Sequence, residues 1–326
     1  MQLIWFRQDL RTQDHMALWY ARQQGPCIAL CILSPEQSAL HQDAPIKIEL
    51  YRQRLMLIQT QLQALNIPLI VLNIPLWQDI PSHIVKLCQQ FNIQTVHSHL
   101  EAGVNEIARD QSVRQTLINI NVEFEQYEDR TLFPLGSIRN QSEQPYQVFT
   151  AFKKKCYERL ILDVPSCFPN IESQTPLSLD LSQYSFDLST FTHAESENKI
   201  AQYWSVSDHD IQTRLTQFIE NQLEYYKTER DIPSLDGTSQ LSPYLNIGIL
   251  SIRQCIQALF KQHHGYMSFS DLRDHQVTVL QLAEMEEEGS LERFARGWYW
   301  CKECGYEKPK DYQYIEIAKV NPRAVI

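Results

Sequence analysis

The stretch "LIWFRQDLRTQDHMAL", Leu3 to Leu18, decides the class of fold. Its four apolar residues, Leu3–Phe6, make a run of the length of one buried strand. Alternating charges follow at Arg7, Asp9, Arg11 and Asp14, and then the chain turns toward helix. A strand that enters a polar turn and then a helix is the first half of a β–α unit. Taken alone, the four charges read as a solvated ion-pair cluster, each pair contributing little.

The same pattern recurs outward from this stretch. "CIALCIL" (Cys27–Leu33), "PLIVL" (Pro68–Leu72), "TVHSH" (Thr95–His99) and "VEFEQY" (Val122–Tyr127) read as further buried strands. Between the second and third, Tyr51, Leu55, Ile58, Leu62 and Leu65 recur at steps of four and three, the stripe of one helix. Strands that alternate with helices imply a parallel sheet covered on both faces, a Rossmann-like α/β domain over residues 1–130. No G-x-G-x-x-G follows the first strand, which argues against an ordinary dinucleotide dehydrogenase.

Composition bounds the rest. The 326 residues are 43% hydrophobic and 10% aromatic, enough for a sizeable core and two or three domains. A net charge of −10 argues against nonspecific coating of nucleic acid but leaves room for a local basic patch. No apolar run reaches the length of a membrane span, and "MQLIWFRQDL" lacks the pattern of a signal peptide. Eight irregularly spaced cysteines read as reduced thiols of a cytoplasmic protein.

Residues 131–199 read as a connector between domains. No Lys or Arg occurs between Arg159 and Lys199, and Ser, Thr, Pro and Asp dominate, so this part is ordered only where it lies against a domain. Residues 200–264 return to helical spacing, with Ile211, Leu215, Phe218 and Leu223 on the buried side. From residue 265 to 326 the character changes again. A helix-like run ends at Gly289, and "SLERFARGWYW" alternates as a hairpin about Arg296-Gly297.

Several short motifs have plain readings. Asn105 and Glu106 can be the polar first turn of a helix. "VFTAFKKKCYERL" can be an aromatic-anchored helix with Lys153, Lys154 and Lys155 in water. "GTSQLS", Gly237–Ser242, can be a hydroxyl-rich helix cap, or a turn that wraps an anion with hydroxyls and backbone N–H groups.

Together and in order, these motifs resemble the DNA photolyase/cryptochrome family, specifically its folate-type bacterial cyclobutane-dimer photolyases. The W-F-R-x-D-L-R-x-x-D pattern is met at Trp5–Asp14, with His15 where asparagine is usual. N-E-x-x-R-D is met at Asn105–Asp110 and "YQVFTAFK" at Tyr146–Lys153. Y-x-x-x-R-D is met at Tyr226–Asp231, and the long flavin-domain motif at Gly237–Cys255. The resemblance covers roughly the first four-fifths of the chain.

The resemblance implies an enzyme of the carbon–carbon lyase type that repairs UV-damaged DNA by light, using FAD. It assigns the FAD phosphates to Thr238, Ser239, Gln240, Leu241 and Ser242, a flavin contact to Tyr226, and a DNA-backbone contact to Arg230. A methenyltetrahydrofolate antenna falls to His41, Asn105 and Glu106. It further implies a monomer without membrane attachment. In the family, excited reduced flavin lends an electron to the dimer and recovers it, so no acid–base pair or nucleophile is required. A cryptochrome-like light sensor shares the same motifs.

Beyond Phe260 the resemblance stops. The family's lesion-covering helix, its tryptophan relay and its residues around the flavin ring have no counterpart. The helical part, 200–264, is therefore a partial flavin domain that exposes apolar surface and holds FAD by its phosphates alone. The tail resembles the winged-helix segment of abortive-infection (type IV) antitoxins. In that reading Leu291–Trp300 form a wing, Arg293, Arg296 and Gly297 a phosphate-touching turn, and the chain joins two truncated genes near residue 265. A nonenzymatic DNA-binding role would rest on this tail. Cys301 and Cys304 make one zinc knuckle at most, with His263, His264 or His275 nearby.

Overall fold

The computed structural model describes residues 1–162, 164–184, 186–188, 203–264, 266–268, 279–288, 291–295 and 298–301. Contacts divide the chain into two compact units. The first comprises Met1–Arg130, Phe168–Ile211 and Ser242–Leu250; the second comprises Thr131–Cys167, Gln212–Leu241 and Ser251–Ile326.

In the first unit the five expected strands form: β1 (Gln2–Phe6), β2 (Cys27–Leu33), β3 (Leu69–Asn73), β4 (Thr95–His99) and β5 (Glu123–Tyr127). They pair in parallel in the order β3-β2-β1-β4-β5. Because side chains alternate along a strand, the two faces of β1 feed two cores. Leu3 and Trp5 join a cluster with Ile84, Leu87, Val113 and Leu117, which come from α4 (Ile80–Gln90) and α5 (Val104–Ile118). Ile4 and Phe6 join Leu18, Leu55, Ile58 and Leu62, which come from α1 (Met16–Gln24) and α3 (Pro45–Ala64). A short α2 (Pro35–Leu40) follows β2. The sheet is thus covered on both faces.

The later part of the connector, residues 171–184 and 186–188, lies against this sheet, as its composition requires. Leu177, Leu179, Leu181 and Tyr184 pack on one core, and Ile171, Phe186 and Leu188 on the other. Gln174 is buried: its Oε1 accepts from the Cys27 N–H at 2.8 Å, and its Nε2 donates to the carbonyls of Cys27 and Asn66.

The second unit holds α6 (Phe149–Leu162) and most of α7 (Asp208–Asn221). It also holds the single turn α8 (Tyr226–Glu229) and α10 (Ile252–His264). Ile211, Leu215, Phe218 and Leu223 are buried as the spacing predicts. The aromatic residues of α6 divide: Phe149 is 57% exposed and Phe152 37%, beside exposed Lys154 and Lys155, whereas Tyr157 is half-buried. Tyr225, Ile232 and Leu235 are also exposed.

In the tail, β7 (Leu291–Ala295) and β8 (Trp298–Cys301) pair antiparallel after α11 (Val279–Glu287). A three-residue β6 (Tyr266–Ser268) flanks β8, giving the order β6-β8-β7. Arg293 is exposed on β7. Gly289, Arg296, Gly297, His275 and Cys304 lie outside the described residues. Among the described residues no helix is long and apolar enough to cross a membrane.

Candidate functional site

The charged turn after β1 is not solvated. Arg7, Asp9, Arg11, Asp14 and His15 are all buried, which overturns the reading of a surface ion-pair cluster. Burial is tolerated because each charge meets a partner distant in sequence. Arg7 donates from one guanidinium nitrogen to both carboxylate oxygens of Asp110 at 2.8 Å, and it also bonds the His99 carbonyl. Arg11 pairs with Asp129 and donates to the Gly248 carbonyl at 3.1 Å.

Asp9 is the hub. It accepts from the Arg7 backbone N–H at 2.6 Å and from His99 Nδ1 at 2.8 Å, and His15 Nε2 lies 3.4 Å away. Burial opposes its charge, but hydrogen bonds from His15 and His99 outweigh burial and hold the carboxyl well below the usual carboxylate range. Asp9, His15 and His99 have the composition of a metal site. Their outer nitrogens decide against one. His99 Nε2 accepts from the Ala17 N–H and His15 Nδ1 from the Leu18 N–H, so the nitrogens facing Asp9 carry protons. The hub is a structural brace.

Above it, a cavity of about 400 Å³ opens at the carboxyl ends of β1, β2 and β4. The strand order reverses between β1 and β4, which is where ligands enter open α/β sheets. Trp5, Tyr51 and Trp77 supply aromatic walls, and Arg7, Lys47, Glu101, Arg109 and Arg130 supply charge. Arg109 lies 5.0 Å from the Trp5 ring and 4.6 Å from the Trp77 ring while it pairs with Glu101 and Asp110 at 2.8 Å.

The three residues assigned to a folate meet at this opening. His41 and Glu106 line it, and Asn105 Nδ2 approaches His41 Nε2 at 3.4 Å. Asn105 and Glu106 are indeed in the first turn of α5, so the plain reading and the ligand reading describe the same residues. A β-carbon at Gly103 would collide with the Glu106 carboxylate, which folds back toward the helix start. Gln8 and Ser34 line the cavity, and among the described residues Gln8 Oε1 and Ser34 Oγ are buried without a hydrogen-bond partner. An acceptor, a hydroxyl, a carboxylate and aromatic walls fit a planar heterocycle with an N–H edge.

The hydroxyl run is arranged differently from a helix cap. Thr238 is exposed, Ser239 half-buried, and Leu241 only 1% exposed, so Leu241 offers its backbone alone. Gln240 adopts φ 52°, and its side chain binds Asp236 at 2.6 Å and Arg214 at 2.8 Å. Gly237 packs so closely that a β-carbon would fall 2.6 Å from Glu229 Cβ, joining the run to α8. There Tyr226 is buried edge-on to Phe218, and the exposed Arg230 guanidinium lies 5.7 Å from the Tyr226 ring. The hydroxyls of Thr238 and Ser239 precede Gln240, whose side chain accepts from the Arg214 cation, and such a set of donors fits an anionic group.

In the first unit, Ser242 opens α9 (Ser242–Asn246), a helix of five residues that is too short to supply a strong dipole. Arg214, Gln8, Ser34 and the aromatic walls were not singled out in the sequence. Each is ordinary in its local pattern and gains meaning only from what lies across from it.

A crevice of this kind, at the switch point of a doubly covered parallel sheet, is where α/β proteins of the doubly wound class take their ligands. A family model described as DNA photolyase matches residues 2–170, and the chain belongs to that family. The deoxyribodipyrimidine photo-lyase of Vibrio cholerae is 31% identical over 268 residues, covering 80% of this chain and 55% of that protein. The Escherichia coli protein of the same name is 32% identical over 270 residues, covering 80% and 54%. A bacterial class III photolyase from Agrobacterium tumefaciens shares the fold with a TM-score of 0.67 at 21% identity, covering 88% of this chain and 56% of that one. The chain thus spans about half the length of the relatives it matches.

Proposed function

We propose that this chain is a photolyase-like protein that binds FAD and an antenna folate and recognises UV-damaged DNA. The convergence of His41, Asn105 and Glu106 at one opening of the switch-point cavity carries this reading. Glu106 would accept N–H bonds from the pterin edge, with Gln8 and Ser34 meeting groups deeper in the cavity. Thr238, Ser239, Ser242 and the backbone of Gln240 and Leu241 would hold the FAD phosphates, with Tyr226 beside the flavin and Arg230 on the DNA backbone. Bound flavin would supply the electron for ring splitting in the dimer. The residues described here bind and orient; none acts as an acid, base or nucleophile. The reading extends to a cytoplasmic monomer whose flavin is held chiefly at the phosphate end, because the resemblance to the flavin domain ends after Phe260.

The test is spectroscopic and by binding. The purified chain, reconstituted with FAD and 5,10-methenyltetrahydrofolate, is expected to show a folate absorption band that survives gel filtration. A flavin band should fade on dilution, and UV-irradiated duplex should be retained over unirradiated duplex. Absence of both chromophores and of any preference for damage would overturn the reading. The β7–β8 hairpin favours a second role for the tail, a winged-helix contact with DNA. Deletion of residues 265–326 should then lower duplex affinity and its salt dependence without altering the preference for damage.

A further inference from the structure

Helix α9 has a functional residue at each end. Its first residue, Ser242, closes the hydroxyl run, and its last, Asn246, lines the switch-point cavity. At ~1.5 Å per residue the helix is under ~10 Å long, so it moves as one rigid peg.

The far end of the peg is fastened at three successive carbonyls. Asn246 accepts from Arg130 at 3.0 Å, Ile247 from the Leu10 N–H at 3.2 Å, and Gly248 from Arg11 at 3.1 Å. Leu10 and Arg11 are buried beside the Asp9 brace and offer no freedom. Gly248 has φ 67° and no room for a β-carbon against Gln8 and Asp9. Arg130 differs. Its side chain is 36% exposed, its second partner Glu101 stands at 3.7 Å, and its guanidinium is part of the cavity wall.

We propose that Arg130 is a positioning residue that couples occupancy of the switch-point cavity to the grip of Ser242 on an anionic cofactor. This rests on the cofactor reading above. A ligand in the cavity covers Arg130, excludes water from its bond to the Asn246 carbonyl and removes its freedom to swing away. An ordered Arg130 fixes the end of α9, and a fixed α9 presents Ser242 without further ordering cost. The two cofactors therefore bind with positive cooperativity, and the coupling must be reciprocal.

Fluorescence titration of the full chain tests this. Saturating 5,10-methenyltetrahydrofolate is expected to lower the Kd for FAD at least about five-fold, and FAD to lower the Kd for the folate by the same factor. In Arg130→Ala the folate should bind more weakly, because the cavity loses a charge from its wall, and FAD should bind as it does to the folate-free wild type, while the factor falls to one. Arg130→Gln, which keeps a donor for the Asn246 carbonyl, should retain part of it. Binding of both ligands without coupling, or coupling unchanged in Arg130→Ala, overturns the proposal and leaves the cofactor reading standing. Failure of either ligand to bind wild-type protein overturns the proposal, and failure of both, with no preference for damaged DNA, overturns the cofactor reading as well.

Discussion

His99 donates from Nδ1 to Asp9 at 2.8 Å while its Nε2 accepts from the Ala17 N–H, so a buried neutral imidazole ties the turn after β1 to the start of α1. The same carboxylate faces His15 and the Arg7 backbone. The brace therefore fixes both the Arg7 wall of the cavity and the Leu10–Arg11 seat of α9.

Asp9→Asn should be strongly destabilising. The amide has one acceptor where the carboxylate has two, and its NH₂ would face an imidazole N–H. Loss of the buried charge also leaves Arg7 and Arg11 less compensated. A cost of about 3 kcal/mol or more is expected from chemical denaturation. A change below about 1 kcal/mol would mean that the hub is not a brace.

Acid sensitivity should depend on His15. Burial pushes His15 from 6.5 down to about 4. Above pH 6.5 it is neutral both folded and unfolded and has no effect on pH dependence. Between pH 6.5 and 4 the unfolded chain takes up a proton that the folded one refuses, so stability falls by up to about 3 kcal/mol. His97, also pushed to about 4 by burial, adds a fall of the same sign. His15→Asn preserves an acceptor for the Leu18 N–H and removes one titration. Its melting temperature should decline less steeply across that window; an unchanged slope counts against the assignment.

Gly248→Ala should destabilise by more than about 1 kcal/mol, since a left-handed backbone and a collision with Gln8 and Asp9 act together. Weaker FAD binding should accompany the lower melting temperature. A fully stable variant would show that α9 is not seated as described.

Gly103→Ala separates stability from binding. The added methyl meets the flexible end of Glu106, so melting should shift little, while folate affinity should drop about ten-fold as the carboxylate is turned away. Unchanged folate affinity would remove Glu106 from the site.

Arg230→Ala should lower affinity for UV-damaged duplex and reduce its salt dependence by about one phosphate contact. Arg230→Lys should recover charge but not the planar fork. The exposed position predicts little change in melting. Equal DNA binding by all three proteins would remove Arg230 from the interface.

The local chain determined a good deal by itself. Strand runs, the Leu55–Ile58–Leu62 stripe and the buried side of α7 follow from side-chain periodicity, which is dictated by backbone geometry. Family membership was legible in the ordered motifs from Trp5 to Cys255. Tertiary structure alone decided that the charges at Arg7, Asp9 and Arg11 are buried, because their partners lie up to 237 residues away. The cavity, the Arg214 cation and the Arg130 fastener are likewise long-range facts. A charge is stabilised in the interior by what faces it, and periodicity records which way a side chain points but not what it meets there.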